Sequence, residues 1–116
     1  MEKYSIENYM VNPDEKVAKR VIYSDENTLA FVLNISPGNS LPEHTHFDST
    51  LLIEVIEGSG NINVDGEPIN VEENDLMKLD GQEVMSVDNT GDKTLVLYVT
   101  ISPLPPEDRY AKNADL

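Results

Sequence analysis

From Val17 onward, short runs rich in Val, Ile and Leu recur every eight to twelve residues or so, each closed by turn residues. The pattern predicts strands at Val17–Tyr23, Thr28–Ile35, Leu41–His46, Leu51–Glu57, Gly60–Val64, Ile69–Glu72, Asp75–Leu79, Glu83–Val87 and Lys93–Ser102. Between them lie Asp25-Glu26-Asn27, Ser36-Pro37-Gly38, Gly58-Ser59-Gly60, Asp65-Gly66, Glu73-Asn74-Asp75, Asp80-Gly81 and Asn89-Thr90-Gly91-Asp92. Asp65-Gly66 joins two alternating runs and predicts a type I′ hairpin, which needs positive φ at both central residues. Before Val17 the pattern is weaker, with a short helical turn over Ser5–Met10 and a turn at Asn12-Pro13-Asp14. After Pro103 the prolines end the last strand, and a polar tail follows that is expected to pack outside or fray.

Many short strands, with less than about a tenth of the chain in helix, predict an all-β sandwich closing toward a barrel. Parallel βαβ folds need crossover helices that this pattern does not supply. A single domain over 1–116 is expected, with its core at about 17–103, an N-terminal arm at 1–16 and a tail at 104–116. Two runs, Leu51–Val55 and Leu95–Ile101, carry apolar residues on both faces, so both faces should be covered. If Leu51, Ile53 and Val55 face inward, Glu54 shares the outer face with Leu52 and Ile56. A second copy of the chain is the expected cover, giving a homodimer. A shifted register would instead turn Glu54 inward.

Charge narrows the partners. Eight Lys and Arg against 22 Asp and Glu give a formal charge of −14. Such a surface repels phosphate backbones and anionic membranes, so neither nucleic acid nor a membrane is expected. No apolar run approaches a membrane span of about 18 residues or more, and the first residues lack a secretory pattern, so a cytoplasmic location is expected. Cysteine is absent, which removes thiolate metal sites and cysteine nucleophiles.

Both histidines of the chain fall in His44-Thr45-His46. On a strand, residues two apart share a face, so the two imidazoles can converge on one point and form half of a metal site. Two histidines on an exposed strand edge are the plainer alternative.

The surroundings of the pair resemble the first motif of the cupin superfamily: glycine, five residues, His-x-His, three or four residues, glutamate, six residues, glycine. Here Gly38 precedes the pair by five residues, and Gly58 closes the strand after it. The second cupin motif is similar in outline to Glu73-Asn74-Asp75-Leu76 followed, fifteen residues after Asn74, by Asn89-Thr90-Gly91-Asp92. The resemblance runs from about Val17 to Pro103 and implies a double-stranded β-helix, or jelly-roll, barrel. It also implies a metal held by three histidines and a glutamate, but the departures fall on those positions. Leu51 stands at the glutamate and Met85 at the last histidine, and Asp80-Gly81-Gln82 replaces the usual residues ahead of it.

Leu51 and Met85 are therefore pocket residues. The substitute ligands to weigh are Glu83, on the face of Met85 if alternation holds, and Asp48, in the loop after His46. Two histidines and a carboxylate would form a facial triad for iron, whereas the Met85 thioether with two imidazoles would suit copper. Glu83 can equally face solvent, Asp48 can serve its own turn, and Met85 can simply fill the core. Two functions follow from the resemblance. One is a metal-dependent enzyme (oxygenase, isomerase or decarboxylase type) using Fe, Mn, Ni, Zn or Cu on a small organic molecule. The other is a metal-free cupin that binds a small ligand or a partner.

Overall fold

The computed structural model describes residues 1–104 and 112–115. Ten strands are present among them: β1 (Val17–Ser24), β2 (Leu29–Ile35), β3 (Ser40–His44), β4 (Thr50–Glu57), β5 (Ser59–Val64), β6 (Glu67–Glu72), β7 (Leu76–Asp80), β8 (Met85–Asp88), β9 (Leu95–Ser102) and β10 (Ala114–Asp115). One 3₁₀ turn, Ile6–Tyr9, precedes them, within the segment where a helical turn is predicted. Among the described residues no helix is long and apolar enough to cross a membrane.

The strands form two antiparallel sheets, ordered β10-β1-β2-β9-β4-β7 and β3-β8-β5-β6. Alternation along each strand sends one set of side chains between the sheets. Phe31, Leu33, Ile53, Leu97 and Val99 from the larger sheet meet Ile62, Val71, Met85 and Val87 from the smaller, all buried. The predicted hairpin is present: Val64 pairs with Glu67, and Asp65 and Gly66 have φ of 49° and 85°.

β2 is buried along its whole length, so its outer face is covered as well. The N-terminal arm supplies cover there. Asn34, fully buried on that face, accepts from the Val11 amide at 3.1 Å and donates to the Tyr9 carbonyl at 3.1 Å. At Asn34 the cover of this strand's outer face therefore comes from the chain's own arm. Farther along the sheet Glu54 pairs with Tyr98 and Leu76 on the outer face, as the inward set Leu51, Ile53 and Val55 requires. Leu52 and Leu76 remain exposed on that face.

The tail differs from expectation in one respect. Ala114 and Asp115 add a strand to the edge of β1, held by an Arg20–Asp115 ion pair at 3.0 Å and by the Val21 amide donating to Asn113 Oδ1. The rest of the predicted tail, 105–111 and 116, lies outside the described residues.

Candidate functional site

His44 reaches the barrel interior through an irregularity in β3. Leu41 pairs with Val87 and His44 with Met85, so three steps along β3 match two along β8. Without that extra residue, Glu43 would share the inward face of Leu41. The bulge reverses the parity and turns His44 inward. Pro42, which has no N–H to give to the ladder, sits inside the bulge. Its carbonyl lies 2.7 Å from His44 Nδ1. In a neutral ring Nδ1 then donates to Pro42, leaving Nε2 as an acceptor.

His46 follows the end of β3, in a loop held against Gly81. The His46 amide donates to the Gly81 carbonyl at 2.7 Å, and the Ser49 amide donates back to the His46 carbonyl at 3.1 Å. The approach admits no side chain at position 81. A Cβ there would lie 2.5 to 2.7 Å from the carbonyl oxygens of Ser49, Phe47 and His46.

The two imidazole rings meet edge to face with centroids 4.5 Å apart. His46 is buried, and its pKa is pushed down to about 4, first by desolvation and then by the nearby His44 and Lys19. It is therefore a neutral imidazole at physiological pH.

Both rings line a cavity of about 360 Å³ between the sheets. Phe31, Leu51, Ile53, Met85 and Val99 form much of its wall, so Leu51 and Met85 occupy the pocket positions expected of them. Lys19 lines the same cavity, its ammonium 4.6 Å from the centre of the Phe31 ring. Burial lowers its pKa to about 8. The sequence reading passed over this lysine, yet the signal was available: Lys19 has the parity of Val17 and Val21, the inward residues of its strand.

The two carboxylates weighed as substitute ligands are not brought to the histidine pair. Glu83 lies before β8, in a turn where the strand alternation does not apply. Its Oε1 accepts from the Asp80 amide at 2.9 Å, while its own amide donates to the Asp80 carbonyl at 3.0 Å. Asp48 is exposed and accepts from Gln82 Nε2 at 2.9 Å. Both belong to a surface depression shared with Phe47, Asp65 and Gln82, separate from the barrel cavity. Among the described residues no group of three or more His, Asp or Glu could hold a metal ion. The donors present inside the barrel, two imidazoles beside a leucine and a thioether, do not fit a three-histidine, one-glutamate centre.

Comparison with solved structures identifies the architecture. A double-stranded β-helix protein from Klebsiella pneumoniae superposes with a TM-score of 0.83 at 16% identity, over 99% of this chain and 96% of its own. An RmlC-like cupin from Desulfovibrio desulfuricans gives 0.78 at 22% identity, over 90% and 98%. A predicted oxalate decarboxylase from Thermotoga maritima gives 0.70 at 22% identity, over 76% and 81%. Among curated proteins, the tetracenomycin polyketide synthase protein TcmJ of Streptomyces glaucescens is 30% identical over 74 residues, 64% of this chain. The chain spans about half the length of that relative. The family model described as a cupin domain matches residues 31–101, the stretch that carries the histidine pair and the central strands, and the chain belongs to the cupin family.

Proposed function

We propose that this cupin binds a small, largely apolar organic molecule inside its barrel, without the family's four-ligand metal centre. The observation that carries the reading is the cavity: about 360 Å³, walled by aliphatic and aromatic side chains, with His44, His46 and Lys19 as its ionisable groups among the described residues. Pockets of this size and mixture bury most of a small ligand and orient it through few polar groups. The tie of its relative TcmJ, by name, to a polyketide synthase is in keeping with a carbon-skeleton occupant carrying oxygen substituents.

The test is calorimetric binding of 2-naphthylmethanol to untagged protein, compared with the Val99→Trp variant, whose indole would project into the cavity and obstruct it. Binding that is lost in the variant supports the barrel site. No binding to the native protein, or binding unaffected by the tryptophan, overturns it.

A second reading keeps a divalent transition metal (Fe, Mn, Ni, Zn or Cu) on His44 and His46. It is favoured by the Pro42 carbonyl on His44 Nδ1, an arrangement that fixes the ring and presents Nε2, as backbone carbonyls do for metal-bound histidines. Metal content of untagged protein decides it, with His44→Ala/His46→Ala as control. Metal retained by the double variant, or absent from the native protein and without effect on its unfolding when added, rules the pair out as the site.

A further inference from the structure

We infer that the outer face of β4 and β7 is a self-complementary interface for a second copy of this chain, with a two-fold axis along the diagonal from Leu52 to Leu76. The inference stands apart from the barrel reading and does not depend on what the cavity holds.

The surface follows from the register. Leu52 pairs with Lys78, and Glu54 with Leu76, across the β4–β7 ladder. The alternating Leu51, Ile53 and Leu79 are buried between the sheets, so these four side chains share the outer face. They form a two-by-two checkerboard, with the leucines on one diagonal and opposite charges on the other. Leu52 is 43% exposed and Leu76 65%, a pair of bare leucines at the edge of a sheet. β4 and β7 lie at the far side of that sheet from β1 and β2, and the arm bonded to Asn34 of β2 leaves both leucines uncovered.

Charge identifies the occupant. With a formal charge of −14, two copies repel unless they meet where opposite charges can pair. Lys78 is the one basic residue in the sequences of β4, β7 and β9. Its ammonium rests on Asp80 at 2.9 Å, in an exposed pair that is worth little and exchanges easily. Glu54, half-buried between Leu76 and Tyr98, has no ion-pair partner among the described residues. The face thus holds a carboxylate to be paired and a lysine able to pair it.

Symmetry then selects the arrangement. Two such faces can meet about a two-fold axis lying in the plane between them. An axis parallel or perpendicular to the strands sets each leucine on a charge, which desolvates the charge without pairing it. An axis along the Glu54–Lys78 diagonal sets like charges on each other. An axis along the leucine diagonal sets Leu52 on the partner's Leu52 and Leu76 on the partner's Leu76. It also sets Glu54 on the partner's Lys78, twice by symmetry. That axis alone buries apolar on apolar and pairs both charges, an apolar centre with a polar rim.

The experiment is sedimentation equilibrium of the full chain, in salt near physiological strength to screen the general repulsion. Native protein is compared with Glu54→Lys, with Lys78→Glu, with the double reversal, and with an equimolar mixture of the two single variants. Each single reversal should weaken self-association about ten- to a hundredfold, because it turns two attractions into two repulsions. The double reversal restores opposite charges across the axis and should associate nearly as the native chain does. The mixture should form a heterodimer more readily than either variant forms a homodimer. Lys16→Glu, the same change of charge at an exposed residue just before β1, should leave association unaltered. A native chain that stays monomeric at tens of micromolar overturns the inference. So does a dimer that Lys78→Glu weakens no more than Lys16→Glu does, which would move the contact to another surface, such as the open edge of β7. A mixture that fails to associate while the native chain does removes the leucine-diagonal axis. Should Glu54→Lys not fold, Lys78→Glu, a change at an exposed position, decides alone against its control.

Discussion

His46 gives the site a signature in the acid dependence of stability. Its folded pKa is about 4, against about 6.5 for a histidine in an unfolded chain. The folded state therefore binds this proton less readily than the unfolded state. Above the unfolded value neither state is protonated at His46 and the group has no effect. As pH falls between the two values the unfolded chain takes up a proton that the native barrel refuses, and stability is lost. Linkage over that shift gives a loss of at most about 2 kcal/mol between pH 7 and pH 5, reduced to about 1–2 kcal/mol by water at the cavity mouth. Asp25 and Asp88, held low chiefly by side-chain hydrogen bonds from Tyr23 and Ser40, withdraw stability only at more acidic pH, below the ordinary carboxylate range. Relief of the −14 charge acts in the opposite sense. The reading is thus a difference: urea unfolding of native protein and of His46→Gln at several pH values, with the gap between them narrowing toward acid. With two histidines in the chain, their ring resonances can be followed directly by NMR, and one should titrate near pH 4. Parallel loss in both proteins, or a His46 midpoint near its ordinary value, would refute the claim that the ring is desolvated in the barrel wall.

Two further outcomes follow from the same geometry. Gly81→Ala should cost about 2 kcal/mol or more in thermal or urea unfolding and shift the His46 ring resonances, because its Cβ meets three carbonyl oxygens of the loop that seats His46; unchanged stability and resonances would show that the loop does not depend on this contact. Light scattering at tens of micromolar should return twice the chain mass of 12.9 kDa, and Leu52→Glu should halve it, if the exposed Leu52 and Leu76 face is where a second copy docks; a native monomer would sink that expectation.

The architecture was legible because it depends on period-two alternation and on turn chemistry, both local in the sequence. Asp65-Gly66 predicted its hairpin to the residue, and the inward set of β4 followed from Leu51, Ile53 and Val55. What escaped the reading depends on contacts between distant segments. The bulge around Pro42 decides which residue of β3 faces inward, and it is defined only by pairing with β8. Glu83 could be inward only if alternation ran on past the end of β8; instead the carboxylate closes its own turn onto the Asp80 amide. The β10 strand has two residues and no periodicity to read. Cover of the β2 outer face by the arm was likewise unreadable, since it rests on one buried asparagine bonded to residues more than twenty positions away.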